Sequence, residues 1–158
     1  MNVFELTTRL MSIPSLSGNE GEIGVFLSNH LLALGYKVER QPLPPDRFNI
    51  IAYDGEPRLM LCTHIDTVSP QLPVSEDDDF LYGRGACDTK GIIVAMIEAG
   101  ERLRQNNIRN FGFLFVVSEE TDSSGAKAAN TRKWNCDYVV VGEPTENQLA
   151  RAQKSFRG

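Results

Sequence analysis

The run Phe111-Gly112-Phe113-Leu114-Phe115-Val116-Val117 is apolar without interruption. A strand with one wet face alternates apolar and polar residues, and a strand covered on both faces reads like this run. The chain therefore needs helices on both sides of a sheet. Val3, Leu6, Leu10 and Ile13 recur at helical spacing before Pro14, which ends that helix. Ile23, Phe26, Leu27, Leu31 and Leu34 make a second helical face, with Gly35 as its stop and Ser17 and Glu20 spaced as a capping box ahead of it. A third helix starts near Asp88 or Thr89 and aligns Ile92, Met96, Ala99 and Leu103, and a short fourth runs from about Ser123 to Arg132. Tyr36 to Gln41, Phe48 to Tyr53, Arg58 to Cys62 and Tyr138 to Val141 read as further strands, the last of them buried. Residues 67–87 carry prolines, glycines and the acidic run Glu76 to Asp79, and read as a long surface loop. The alternation predicts an α/β fold with a mostly parallel sheet flanked by helices.

At 158 residues the chain is long enough for one domain with a real core. Sixteen Lys and Arg against 21 Asp and Glu leave a net charge of −5, which argues against nucleic acid or an anionic membrane as partner. No apolar run approaches the roughly 20 residues that span a bilayer. The first residues lack the basic start and apolar middle of a signal peptide, so a cytoplasmic protein is expected. Cys62, Cys87 and Cys136 are odd in number and show no Cys-x-x-Cys spacing. They read as reduced thiols packed in or near strands, not as a disulfide framework or structural zinc site.

Ligands of parallel α/β sheets bind beyond the C-terminal ends of the strands. Three strand ends here each deliver side chains able to hold a metal. The first ends in Thr63-His64-Ile65-Asp66, where Asp66 suits the partner that fixes an imidazole's tautomer. The second ends in Ser118-Glu119-Glu120, where one carboxylate can bind metal while its neighbour works as a base. The third ends in Gly142-Glu143-Pro144-Thr145. Asp88 follows Gly83-Arg84-Gly85 and reads either as a helix N-cap or as a carboxylate bridging two ions. Each residue alone also reads as an ordinary surface or capping group. Their shared end of one sheet is what favours a hydrolytic pair of ions, zinc first and cobalt or manganese after it.

The segments Leu61 to Val68, Tyr82 to Gly91, Val117 to Thr121 and Gly142 to Thr145 resemble, in order and spacing, the M20 metallopeptidase and deacylase family. That family includes acetylornithine deacetylase, succinyl-diaminopimelate desuccinylase, aminoacylase and glutamate carboxypeptidase. The resemblance implies that His64 and Glu143 hold one ion, Glu120 the other, and Asp88 both. It implies that Asp66 orients His64, that Glu119 is the general base, and that the Asp88–Thr89 peptide is cis. It further implies a zinc-peptidase-like catalytic domain, of which residues 1–158 are the N-terminal portion. A C-terminal segment would complete that domain and supply the last His ligand of the Glu120 metal. An inserted lid domain, absent from this chain, would make the whole protein a homodimer. The expected reaction is hydrolysis of an N-acyl amino acid, acetylornithine deacetylase-like and part of amino-acid biosynthesis, a reading toward which the Gly142 to Thr145 run followed by Leu149 to Lys154 leans. Carboxypeptidase, dipeptidase or desuccinylase action is the alternative within the family. The chain alone is expected to be inactive, with its second metal site incomplete. A different class of reading is a non-catalytic domain that binds a metal or a partner.

Overall fold

The computed structural model of the chain describes residues 1–146 and 148. The Leu149 to Lys154 run lies outside them. Helix α1 spans Val3–Ser12 and carries a reciprocal capping box: Asn2 Oδ1 accepts from the Glu5 N–H and Glu5 Oε2 from the Asn2 N–H, both at 2.9 Å. Helix α2, Gly21–Ala33, has no side-chain cap, so the expected Ser17–Glu20 box does not form. The loop turns both residues inward: Ser17 Oγ donates to Asp66, and Glu20 is buried against Ser118. Helix α2 ends as its sequence demands. Gly35 takes φ +90°, and the Tyr36 and Gly35 N–H groups return to the carbonyls of Leu31 and Leu32. A side chain is strained in that left-handed geometry, which is why glycine stands there.

The strands are β1 (Lys37–Leu43), β2 (Arg47–Tyr53), β3 (Leu59–His64), β4 (Ser75–Glu76), β5 (Leu81–Tyr82), β6 (Phe111–Val116) and β7 (Tyr138–Val141). Strands β1, β2, β6, β3 and β7 form one sheet in that order. Only β2 opposes the common direction, being antiparallel to both β1 and β6, while β3 is parallel to β6 and β7. The sheet is therefore mostly parallel, as expected. Strands β4 and β5 pair as a small hairpin inside the stretch expected to be loop. At two residues each they are too short for alternation to show in sequence.

Strand β6 fulfils the opening expectation. Phe111, Phe113 and Phe115 face α1, α2 and α3 (Gly91–Gln105), while Leu114 and Val116 face the layer of Ala129, Met60 and Ile51. Ala129 lies on α4, Ser124–Asn130. Tyr36 meets Phe111 and Phe113 edge-on, with centroids 6.3 and 5.3 Å away. Each buried phenyl contributes roughly 1.5–3 kcal/mol. Strand β7 departs from expectation: its four residues are 50–68% exposed. It is an edge strand, paired among the described residues with β3 alone.

Candidate metal centre

Parallel pairing sets the level at which each strand releases its functional side chains. His64 pairs opposite Val116 and Cys62 opposite Val141. Counting outward, Asp66 comes level with Ser118, and His64 with Glu143. The ladders continue past the strand ends, with the Ile65 N–H on the Val116 carbonyl at 2.9 Å and the Gly142 N–H on the Cys62 carbonyl at 2.8 Å. Thr63 Oγ1 donates to the Gly142 carbonyl at 2.8 Å, and Thr89 Oγ1 to the His64 carbonyl at 2.6 Å. The backbones beside Glu143 and Asp88 are thereby tied to β3.

Asp88 is not a helix cap, and α3 begins at Gly91. Asp88 sits in a single wide turn, Ala86–Lys90, with φ −119° and ψ 96°, and the Asp88–Thr89 peptide is cis. Gly85 opens that turn at φ +84°, and a Cβ there would lie 2.9 Å from the Lys90 side chain. The Lys90 stem fills that space, and its buried Nζ donates to the Ile13 carbonyl at 2.7 Å.

His64 is buried, and its Nδ1 lies 2.9 Å from the Asp66 carbonyl oxygen and 3.4 Å from Asp66 Oδ1. A carbonyl only accepts, so Nδ1 carries the proton and Nε2 is the atom turned to the site. Nε2 stands 3.0 Å from Asp88 Oδ1 and 4.0 Å from Glu119 Oε2. Ligand atoms of His64, Asp88 and Glu120 all lie within 4.8 Å of one another. Two ligands on one tetrahedral zinc are roughly 3.3 Å apart, given bonds of about 2.0–2.1 Å, so the His64–Asp88 spacing fits a shared ion. Glu143 stands outside that trio, at the end of β7. His30 lies on α2, stacked with Phe26, and takes no part.

Electrostatics support a cation here. Burial opposes charge on His64, but hydrogen bonds and negative charge from Asp66 and Asp88 prevail and push its pKa up to about 10. Burial, then the charges of Asp88 and Glu119, raise the Glu120 carboxyl above its ordinary value. Burial and the neighbouring Glu119, Asp88 and Glu120 raise Glu143 likewise. Carboxylates crowded and desolvated in this way take up protons unless a cation sits among them. Asp66 shifts the other way. Although burial would raise it, hydrogen bonds from His64, Ser17 and the Glu119 backbone hold it below the usual carboxylate range. The nitrogen-and-oxygen donor set, with no thiolate, suits zinc, cobalt or manganese.

Ser17, Thr63 and Thr89 hydrogen-bond to Asp66, to the Gly142 carbonyl and to the His64 carbonyl, and the sequence carries no signal of those bonds, since a lone hydroxyl has neither period nor motif spacing. A cleft of about 320 Å³, lined by Val68, Tyr82, Arg84, Cys87, Asp88 and Glu120, opens onto the cluster. Cys87 is thus exposed, against expectation, because the wide turn carries it to the surface. A larger groove of about 570 Å³ between α1 and α3 holds none of these groups. No helix among the described residues is long and apolar enough to cross a membrane.

The model of peptidase family M20/M25/M40 matches residues 60–153, more than half of the chain. The chain belongs to that family. A peptidase M20 domain-containing protein of Schizosaccharomyces pombe is 39% identical over 99% of the chain and 42% of its own length. A protein of Aspergillus niger named "Probable carboxypeptidase" is 35% identical over 93% of the chain and 42% of its own. The chain thus spans about two fifths of these M20 relatives. Among solved structures, a tripeptidase of Staphylococcus aureus superposes with a TM-score of 0.74 at 27% identity, covering 88% of this chain and 42% of that one.

Proposed function

We propose that the protein to which this chain belongs is a two-metal peptidase that hydrolyses short peptides with a free C-terminus, and that residues 1–158 are the N-terminal portion of its catalytic domain. The observation that carries the reading is the approach of His64, Asp88 and Glu120 ligand atoms to within 4.8 Å, with Glu119 at 4.0 Å from His64 Nε2. His64, Asp88, Glu120 and Glu143 are the proposed ligands, with Asp88 shared. Bound divalent ions would polarise the scissile carbonyl and acidify water. Glu119, beside the cluster yet outside the trio, takes a proton from the attacking water and returns it to the leaving nitrogen. Asp66 keeps His64 in the tautomer that offers Nε2.

The acetylornithine deacetylase-like reading needs the same amide chemistry on a different acyl group. The carboxypeptidase and tripeptidase names of the relatives favour peptides. The test is an assay of the whole protein, loaded with zinc or cobalt, on dipeptides, tripeptides and N-acetyl amino acids including N-acetylornithine. Faster cleavage of free peptides is expected, abolished by a chelator. Preferential turnover of N-acetylornithine would replace peptidase with deacetylase, and no turnover with any metal would remove both.

A further inference from the structure

Three consecutive backbone N–H groups lead into the proposed ligand loop, and each ends on a carboxylate. The Ser118 N–H donates to Glu20 Oε1 at 3.0 Å, that of Glu119 to Asp66 Oδ1 at 2.9 Å, and that of Glu120 to Asp66 Oδ2 at 3.1 Å. Both carboxylates depend on one loop, between α1 and α2. Glu20 belongs to it, and Ser17 on the same loop donates its hydroxyl to Asp66 Oδ2 at 2.6 Å. The loop is pinned to the segment that follows β3 by the Ser17 N–H on the Thr67 carbonyl at 3.2 Å and the Thr67 N–H on the Ser15 carbonyl at 2.9 Å.

Ser118 adopts φ +56°, a left-handed conformation that costs a non-glycine residue roughly 1–2 kcal/mol and persists where the surroundings dictate it. Glu20 supplies that constraint. Its Oε1 accepts both the N–H and, at 3.1 Å, the Oγ–H of Ser118, while Arg47 donates to Ser118 Oγ and lies 3.5 Å from Glu20 Oε1. Glu20 is only 1% exposed, so a carboxyl group has been buried where it meets Ser118. Burying a carboxylate is costly unless it is paired and hydrogen-bonded.

We propose that Ser17 and Glu20 are positioning residues of the metal centre: together they fix the backbone of 118–120 and so the reach of the Glu119 and Glu120 carboxylates. This rests on the metal reading above. Groups that orient ligands typically change metal affinity 10–100-fold when lost.

The test titrates the purified chain with Zn²⁺ against a chelating dye, and records the visible spectrum of the Co²⁺ form. Ser17→Ala and Glu20→Met should each weaken Zn²⁺ binding about 10-fold or more and alter the Co²⁺ spectrum. Ser17→Thr keeps the hydroxyl and Glu20→Gln keeps the acceptor, so both should stay near wild type. Ser28→Ala, which removes a buried α2 hydroxyl bonded to Arg40, should lower the melting temperature and leave affinity unchanged. If Ser17→Ala or Glu20→Met does not fold, Ser17→Cys, a weaker donor, and Glu20→Asp, a shorter acceptor, must show the affinity loss instead. Wild-type affinity and an unchanged spectrum in the disrupting variants would overturn the proposal and leave the metal reading standing. A wild-type chain that binds neither ion would overturn both.

Discussion

Asp66 Oδ1 accepts the backbone N–H of Glu119 at 2.9 Å, while the carbonyl of the same Asp66 accepts the Nδ1 proton of His64. One residue thus orients a proposed metal ligand and anchors the proposed general base. Asp66→Asn keeps the shape but places an NH2 where one of the 119 and 120 N–H groups now finds an acceptor. Zn²⁺ affinity should fall about 10–100-fold, read by calorimetric titration. A loss under twofold would show that Asp66 serves the fold and not the metal.

Glu119 and Glu120 are neighbours for which different tasks are proposed. In the metal-loaded whole protein, Glu119→Gln should leave metal content intact and cut turnover about 10²–10⁴-fold. Glu120→Ala should lose metal first. Elemental analysis beside steady-state kinetics separates the two, and near-normal turnover by Glu119→Gln would exclude it as the base.

Lys90 makes stability depend on pH. Burial pushes its pKa down from 10.5 to about 8 in the folded chain. Between those values the unfolded chain holds a proton that the folded chain has released, so stability rises with pH across that window. The cost of burying the charged ammonium is fully present below pH 8 and relieved above it. Relative to Lys90→Met, the wild type should gain about 2–3 kcal/mol between pH 7.5 and 10.5 in urea unfolding. A constant gap between the two proteins would rule this out.

The thiols should differ in reactivity. Cys87 is exposed in the cleft beside Asp88, whereas burial and the charge of Glu143 push Cys62 up to about 12. Thiolate is the reactive form, so iodoacetamide at pH 8 should label Cys87 within minutes and Cys62 only after unfolding. Peptide mass mapping reads both sites.

Metal should stabilise the chain. An ion that binds only the folded state at about 100 times its dissociation constant adds about 2.7 kcal/mol. Zn²⁺ should therefore raise the melting temperature, and a chelator should reverse the rise. An unchanged melting temperature would mean that the cluster holds no ion when folded.

Much of the site was legible because its signals are local. The uninterrupted run through Phe111 to Val117 required a sheet covered on both faces, and the parallel direction of β3, β6 and β7 then carried His64, Glu119, Glu120 and Glu143 to one edge. Those conclusions follow from strand periodicity and strand-end composition, which the amino-acid sequence determines by itself.

Tertiary structure alone decided the rest. Ser17 reaches Asp66 across 49 residues and Glu20 reaches Ser118 across 98, and neither bond leaves a periodic trace. Their capping-box spacing was a local pattern that lost to these distant partners, because a buried carboxylate is costly unless it is hydrogen-bonded, and Asp66 and Glu20 Oε1 find their donors there. Asp88 reads either as a cap or as a bridging carboxylate in the sequence, and only the backbone angles of the wide turn exclude the cap. Strand β7 is as apolar as a buried strand but exposed, because burial is set by what packs against a strand and not by the strand's own residues.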